Sequence, residues 1–157
     1  MDFARRSFAA AMAAAFLFAA FPGARAQERQ EKEGLTLYWG LVPEAVAAQR
    51  LPVEEIHGGK PIGGGKVHHL VLAVFESRSG ARVGDAIVRA QVSESGIVQE
   101  PAKYVPAMAG GGAGSYGQLF GMVHEGPYRF TVWVKRPARR DDVRFDIVAQ
   151  PQLASSH

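Results

Sequence analysis

Imidazole and thioether groups are the side chains of this sequence best suited to bind a ligand. The chain has no cysteine, which excludes thiolate metal sites and cysteine nucleophiles. Histidine nitrogen and methionine sulfur together suit copper, because Cu(I) favours the sulfur whereas Cu(II) favours nitrogen and oxygen. The candidate metal ligands near predicted strand ends and loops are His57, His68, His69, Met108 and His124.

The spacing of these residues limits how they can meet. His68 and His69 are neighbours in one apolar segment, and adjacent strand residues point to opposite faces, so at most one of them can face the interior. The spacing does not tell which of the two faces the site. Strand ends and loops can cluster at one pole of a sandwich, so a site made of His57, His69 or His68, Met108 and His124 is geometrically possible.

Catalytic patterns are weak in this chain. No G-x-S-x-G motif is present, and the serines at positions 77, 79, 93 and 95 lie in turn-like polar stretches, whereas a serine nucleophile needs a base within reach. The adjacent carboxylates of Glu54 and Glu55, like those at 141–142, are typical of solvated loops. We therefore expect that the protein is not an enzyme.

The elements that would position these ligands are mostly strands. Apolar residues alternate with polar ones, or form short apolar runs, over 35–41, 67–76, 86–92, 116–123, 128–135 and 143–147. Residues 43–50 begin with proline and favour a helical turn or two, whereas prolines mark 97–108 as an edge strand. The gap between 116–123 and 128–135 predicts a hairpin. We predict an all-β, antiparallel, immunoglobulin-like β-sandwich of about seven strands.

Residues 1–26 have the order of features found in a cleavable signal peptide. Arg5 and Arg6 precede an apolar run over 8–21, and Ala24-Arg25-Ala26 forms a small-x-small cleavage site. That run is shorter than the roughly 20 residues of a membrane-spanning helix. We expect export to the periplasm, with cleavage after Ala26 and no membrane insertion afterwards; the twin-arginine and general secretory routes both remain open.

The rest of the chain predicts one folded domain. We expect a flexible leader over 27–34, because QERQEKEG is charged and lacks apolar periodicity, then a β-sandwich over 35–149 and a flexible tail over 150–157. The formal charge of +3 falls to +1 when the three arginines and one aspartate of the signal segment are removed. Binding to nucleic acid is therefore not expected.

Two stretches carry a resemblance to known families. S-G-A-R-V-G-D-A within 71–92, and Gly126-Pro127-Tyr128 with the strand that follows it, resemble the small periplasmic immunoglobulin-like domains of the YtkA-like and FixH-like type, and more distantly the CopC-like domains. The resemblance implies a protein that delivers or sequesters metal, chiefly copper. CopC-like domains bind copper through a histidine at the mature N-terminus, where this chain would have Gln27. The His57-Gly58-Gly59 loop and the His68-His69 pair resemble periplasmic iron-uptake accessory proteins, which makes iron the second candidate.

Two hypotheses from different classes follow. The first is a periplasmic chaperone or sequestering protein for copper or iron, with the metal ion as its ligand and an envelope transporter or other membrane protein as a candidate partner. The second is a metal-free interaction module that docks on an envelope partner through a sheet edge or through the aromatic surface near Trp133.

Overall fold

The residues that the structure describes form nine strands and one short helix. The structure is a computed structural model, and it describes residues 28–51, 66–94, 97–98, 100–124 and 126–151. In chain order the elements are β1 Glu28–Lys32, β2 Leu35–Pro43, α1 Glu44–Arg50, β3 Lys66–Glu76, β4 Ile87–Glu94, β5 Ile97–Val98, β6 Lys103–Tyr104, β7 Ser115–Met122, β8 Tyr128–Lys135 and β9 Val143–Ala149.

These strands form two antiparallel sheets. The first sheet has the order β1-β2-β3-β7, and the second has the order β5-β4-β8-β9, with β6 also paired to β4. The prediction of an all-β antiparallel sandwich is confirmed, as is the prediction of a helical turn after Pro43. Among the described residues, no helix has the length and apolar character needed to cross a membrane.

The core lies between the two sheets. On β8 and β9 every second residue is buried, as the period of two in a half-buried strand requires. The first sheet contributes Phe120, whose ring meets that of Phe130 edge to face with 5.2 Å between centroids. Met122 on β7 also packs in this core, since its side chain is fully buried.

The predicted hairpin between β7 and β8 is wrong. These two strands belong to different sheets and face each other across the core, so the chain between them crosses from one sheet to the other. The buried carboxylate of Glu94, at the end of β4, accepts hydrogen bonds from the backbone N–H groups of Val123 and His124 at 2.8 and 2.9 Å. These bonds replace the cross-strand bonds that a hairpin would provide at this point.

The predicted flexible leader is also wrong over residues 28–32. This segment forms β1 and pairs along its length with β2. The indole N–H of Trp39 donates to Glu28 Oε2 at 2.8 Å and to the carbonyl of Val148 at 2.9 Å, which ties β1 and β2 to β9. Backbone pairing and this indole order a segment whose charged side chains suit an exposed edge strand.

The segment predicted as an edge strand at 97–108 connects the two sheets. Its first part pairs with β4 as β5 and β6, and Ala107 then pairs with Tyr116 on β7. In the segment predicted as a tail, Pro151 forms a parallel bridge with Leu41. The predictions that concern residues 1–27, 52–65 and 152–157, including the signal peptide and His57, lie outside the described residues.

Candidate metal site

His69 lies on the outer face of the first sheet. Its neighbour Leu70 belongs to the core between the sheets, so strand alternation turns the His69 side chain to the opposite face. The outer face is nevertheless covered at this point, because His69 has an exposed fraction of 0%. The strand thus presents an imidazole in a second, smaller buried region.

Met108 reaches the same face from the far side of β7. Residues 106–108, hereafter the edge segment, are bonded to β7: Met108 N–H donates to the Ser115 carbonyl at 2.8 Å, and Gly117 N–H donates to the Pro106 carbonyl at 3.0 Å. Because Ala107 pairs with Tyr116, whose ring is in the core, alternation turns Met108 outward. Its side chain is 6% exposed.

The two side chains meet over Gly117. A Cβ placed on Gly117 would lie 2.6 Å from Met108 Sδ and 2.7 Å from His69 Nε2. Nε2 and Sδ are therefore no further apart than the sum of these two distances. The fold thus brings an imidazole nitrogen and a thioether sulfur, 39 positions apart in the sequence, to one point; we call them the His69–Met108 pair.

Apolar residues flank this pair on β3 and β7. Ala73 and Leu119 lie on the same face of β3 and β7 and are almost fully buried, and neither belongs to the main core. The helix α1 packs against β2 and β3 and contributes the buried side chain of Ala47. An apolar region accepts uncharged groups at much lower cost than charged ones.

Residues 109–114 form a glycine-rich loop between Met108 and β7, and hydrogen bonds hold this loop in place. Ser115 Oγ donates to the carbonyl of Gly111 at 2.7 Å, and Arg82 Nη1 donates to the carbonyl of Ala113 at 3.3 Å. These bonds connect the loop to β7 and to the turn region after β3. They fix the chain direction immediately after Met108, which helps to hold its side chain over Gly117.

His68 occupies the opposite face of β3 and packs in the core. It is 4% exposed, and its ring centroid lies 6.0 Å from that of Tyr128. Desolvation by burial lowers the pKa of His68 below its ordinary value of 6.5, assisted by the charge of Lys66, whereas a backbone hydrogen bond at Lys66 acts in the other direction. The predicted divergence of the two adjacent histidines is confirmed, and the outward one is His69.

The remaining predicted ligands are not part of this buried pair. His124 lies in the crossing between β7 and β8, and its side chain is exposed. His57 lies in 52–65, outside the described residues. In the part of the chain that the structure describes, no group of three or more His, Cys, Asp or Glu side chains could hold a metal ion. Of the predicted ligands that the structure describes, only His69 and Met108 lie together.

No family model and no curated protein matches this chain. It is similar to two kinds of solved structure. One is a copper-bound variant of FetP from uropathogenic Escherichia coli, with 14% identity and a TM-score of 0.48 over 78% of this chain and 93% of that one. The other is a DUF4426 family protein from Pseudomonas aeruginosa, with 14% identity and a TM-score of 0.47 over 80% of this chain and 95% of that one.

Two residues with a structural role were not predicted from the sequence: Gly117, which lies beside the His69–Met108 pair, and Glu94, which lies at the crossing after β7. A glycine inside a strand can mark a close approach of another group, and Gly117 lies inside β7. Glu94 carried no comparable signal, because an acidic residue at the end of a strand is usually solvated.

Proposed function

We propose that the protein is an exported periplasmic protein that binds a transition metal, copper first and iron second, and carries or sequesters it rather than catalysing a reaction. The observation that supports this proposal is the convergence of His69 Nε2 and Met108 Sδ on one buried point beside Gly117. These two atoms would be ligands, and a bound ion would link β3 to the edge segment.

The chemistry of the pair favours Cu(I). A thioether is a soft ligand, and imidazole suits copper, whereas ions that prefer oxygen are bound by carboxylates and carbonyls. Burial favours the same ion, because the cost of placing a charge in an apolar region increases with that charge. Both ligands are neutral, so a monovalent ion leaves the smallest uncompensated charge. Cu(II) and Fe(II) are therefore expected to bind more weakly.

The test is a metal titration of protein produced from the full-length sequence. Cu(I) affinity is measured by competition with a chromophoric chelator, and Cu(II) and Fe(II) binding by quenching of the two tryptophans. We expect one Cu(I) per chain. His69→Ala and Met108→Leu should each weaken binding by at least about tenfold, equivalent to roughly 1.4 kcal/mol. Met108→Leu nearly conserves volume, so packing is retained while the sulfur is lost.

The matched control is His124→Ala, which removes an imidazole that is exposed outside the buried pair and should leave the affinity unchanged. The proposal fails if the unmodified protein binds none of the three ions more tightly than micromolar. It also fails if His69→Ala and Met108→Leu both bind copper as tightly as the unmodified protein does.

The alternative is a metal-free interaction module, and one surface favours it. On the outer face of the second sheet, Tyr104 is exposed and pairs with Arg89, whose guanidinium carbon lies 5.7 Å from the centroid of the Trp133 ring. Aromatic and arginine side chains are enriched at protein interfaces. If no metal binds, this aromatic surface is the first candidate for the contact with an envelope partner.

A further inference from the structure

Gly117 has no backbone reason to be glycine. Its φ is not in the positive range that favours glycine, and it lies within the regular pairing of β3 with β7. Glycine weakens the interior of a strand, because it adds no packing and has more conformational freedom to lose. We therefore look to the neighbouring side chains, rather than to the backbone, for the reason that this position is a glycine.

That space contains the two candidate ligands. The atoms nearest to a Cβ on Gly117 would be His69 Cε1 and Met108 Sδ, both at 2.6 Å, and His69 Nε2 at 2.7 Å. All three distances are far shorter than the roughly 3.5–4.0 Å of an optimal contact between heavy atoms. A methyl group at position 117 would therefore occupy the point at which the nitrogen and the sulfur converge, and would force them apart.

Gly40 provides an internal comparison. Gly40 pairs with Val71 on β3, and Val71 pairs with Gly117 on β7, so both glycines stand in one row across the first sheet. The φ of Gly40 is also outside the positive range, but a Cβ at that position would meet nothing within 4 Å. The two glycines thus differ in what surrounds them rather than in backbone conformation.

We propose that Gly117 controls how tightly this chain binds copper, because its missing side chain leaves the space in which His69 and Met108 come together on one ion. Gly117 is a positioning residue and not a ligand. This inference rests on the proposed function and adds to it a position that controls the geometry of the site.

The test compares Gly117→Ala with Gly40→Ala in protein produced from the full-length sequence. Gly117→Ala should lower the Cu(I) affinity by about 10- to 100-fold, the range seen when groups that orient metal ligands are changed. Gly40→Ala should bind as the unmodified protein does. X-ray absorption at the copper edge adds a reading of the ligands themselves: the sulfur contribution should be present in Gly40→Ala and lost or reduced in Gly117→Ala.

A second comparison uses the metal-free protein and does not depend on copper. Gly117→Ala should lower the melting temperature by roughly 3–10 °C, because an added methyl group overpacks a filled region. Met108→Ala removes one of the side chains that would clash. Its cost should therefore be smaller in the Gly117→Ala background than in the unmodified protein, a non-additivity expected of residues that share space.

The outcomes separate this inference from the proposed function. If His69→Ala and Met108→Leu weaken copper binding while Gly117→Ala keeps both the affinity and the sulfur signal, the role of Gly117 is overturned and the proposed function stands. Absence of copper binding in the unmodified protein overturns both. If Gly117→Ala does not fold, recovery of folding on adding Met108→Ala supports the shared space, and failure to recover overturns it.

Discussion

Glu94 is expected to be the carboxylate on which the crossing between the sheets depends most. It is 3% exposed, and its two oxygens accept one backbone N–H each, from Val123 and from His124. Glu94→Ala would leave both N–H groups without this acceptor. Glu94→Gln would keep one acceptor oxygen but would place an amide NH₂ against the other N–H, so two donors would face each other.

The expected cost follows from these contacts. A hydrogen bond to a charged group contributes about 1.5–3 kcal/mol, and leaving a buried donor unsatisfied costs about 1–3 kcal/mol. Water can reach Val123 and His124, whose side chains are exposed, so part of the loss is recovered. We expect Glu94→Ala to lower the free energy of unfolding by about 2–4 kcal/mol and Glu94→Gln by about 1.5–3 kcal/mol.

Urea unfolding followed by circular dichroism measures these differences. The control is Glu31→Ala, which removes an exposed carboxylate whose ion pair with Arg29, at 3.3 Å, should contribute less than about 0.5 kcal/mol. If Glu94→Ala changes the free energy of unfolding by no more than Glu31→Ala does, the carboxylate does not hold the crossing. A Glu94→Gln protein as stable as the unmodified one would show that the charge of Glu94 is irrelevant.

Two further predictions concern His68 and Trp39. Burial lowers the pKa of His68 in the folded state, so below about pH 6.5 the unfolded chain takes up a proton that the folded chain does not, and stability falls as the pH falls. In urea unfolding of the metal-free protein, His68→Phe should reduce this dependence of the free energy of unfolding on pH. An unchanged dependence would contradict the prediction. Trp39→Phe removes the donor to Glu28 and to β9, and should lower the free energy of unfolding by about 1–2 kcal/mol and speed amide exchange in β1. Protection of β1 equal to that in the unmodified protein would show that backbone pairing alone holds this strand.

Much of the fold could be predicted because half-buried strands have a visible period. The alternation over β8 and β9 identified two half-buried strands, and the apolar residues of β3 identified a third strand, in the positions that the structure gives them. β1 could not be found in this way, because its stability comes from backbone pairing and from Trp39. Strand spacing alone does not distinguish a hairpin from a connection between facing sheets, so the sequence could not predict that the chain crosses to the other sheet after β7.

The candidate site was predictable only in part. Alternation separated His68 from His69, and residue chemistry selected Met108 as a ligand type. Their meeting depends on the edge segment joining β7 after the chain has left β4, and a long-range register of this kind has no local signal. The same limit applies to the burial of His69, because the edge segment reaches the outer face of the first sheet only through this long-range pairing.

The two side chains of the His69–Met108 pair are anchored with unequal strength. β3 is hydrogen-bonded to β2 on one side and to β7 on the other, whereas the edge segment is attached to β7 by a short bridge. Local opening needs least free energy where few backbone bonds must break. If the proposed ion binds here, we expect it to exchange by brief detachment of Met108 while His69 stays in place, so exchange of the ion would be much faster than unfolding of the sandwich.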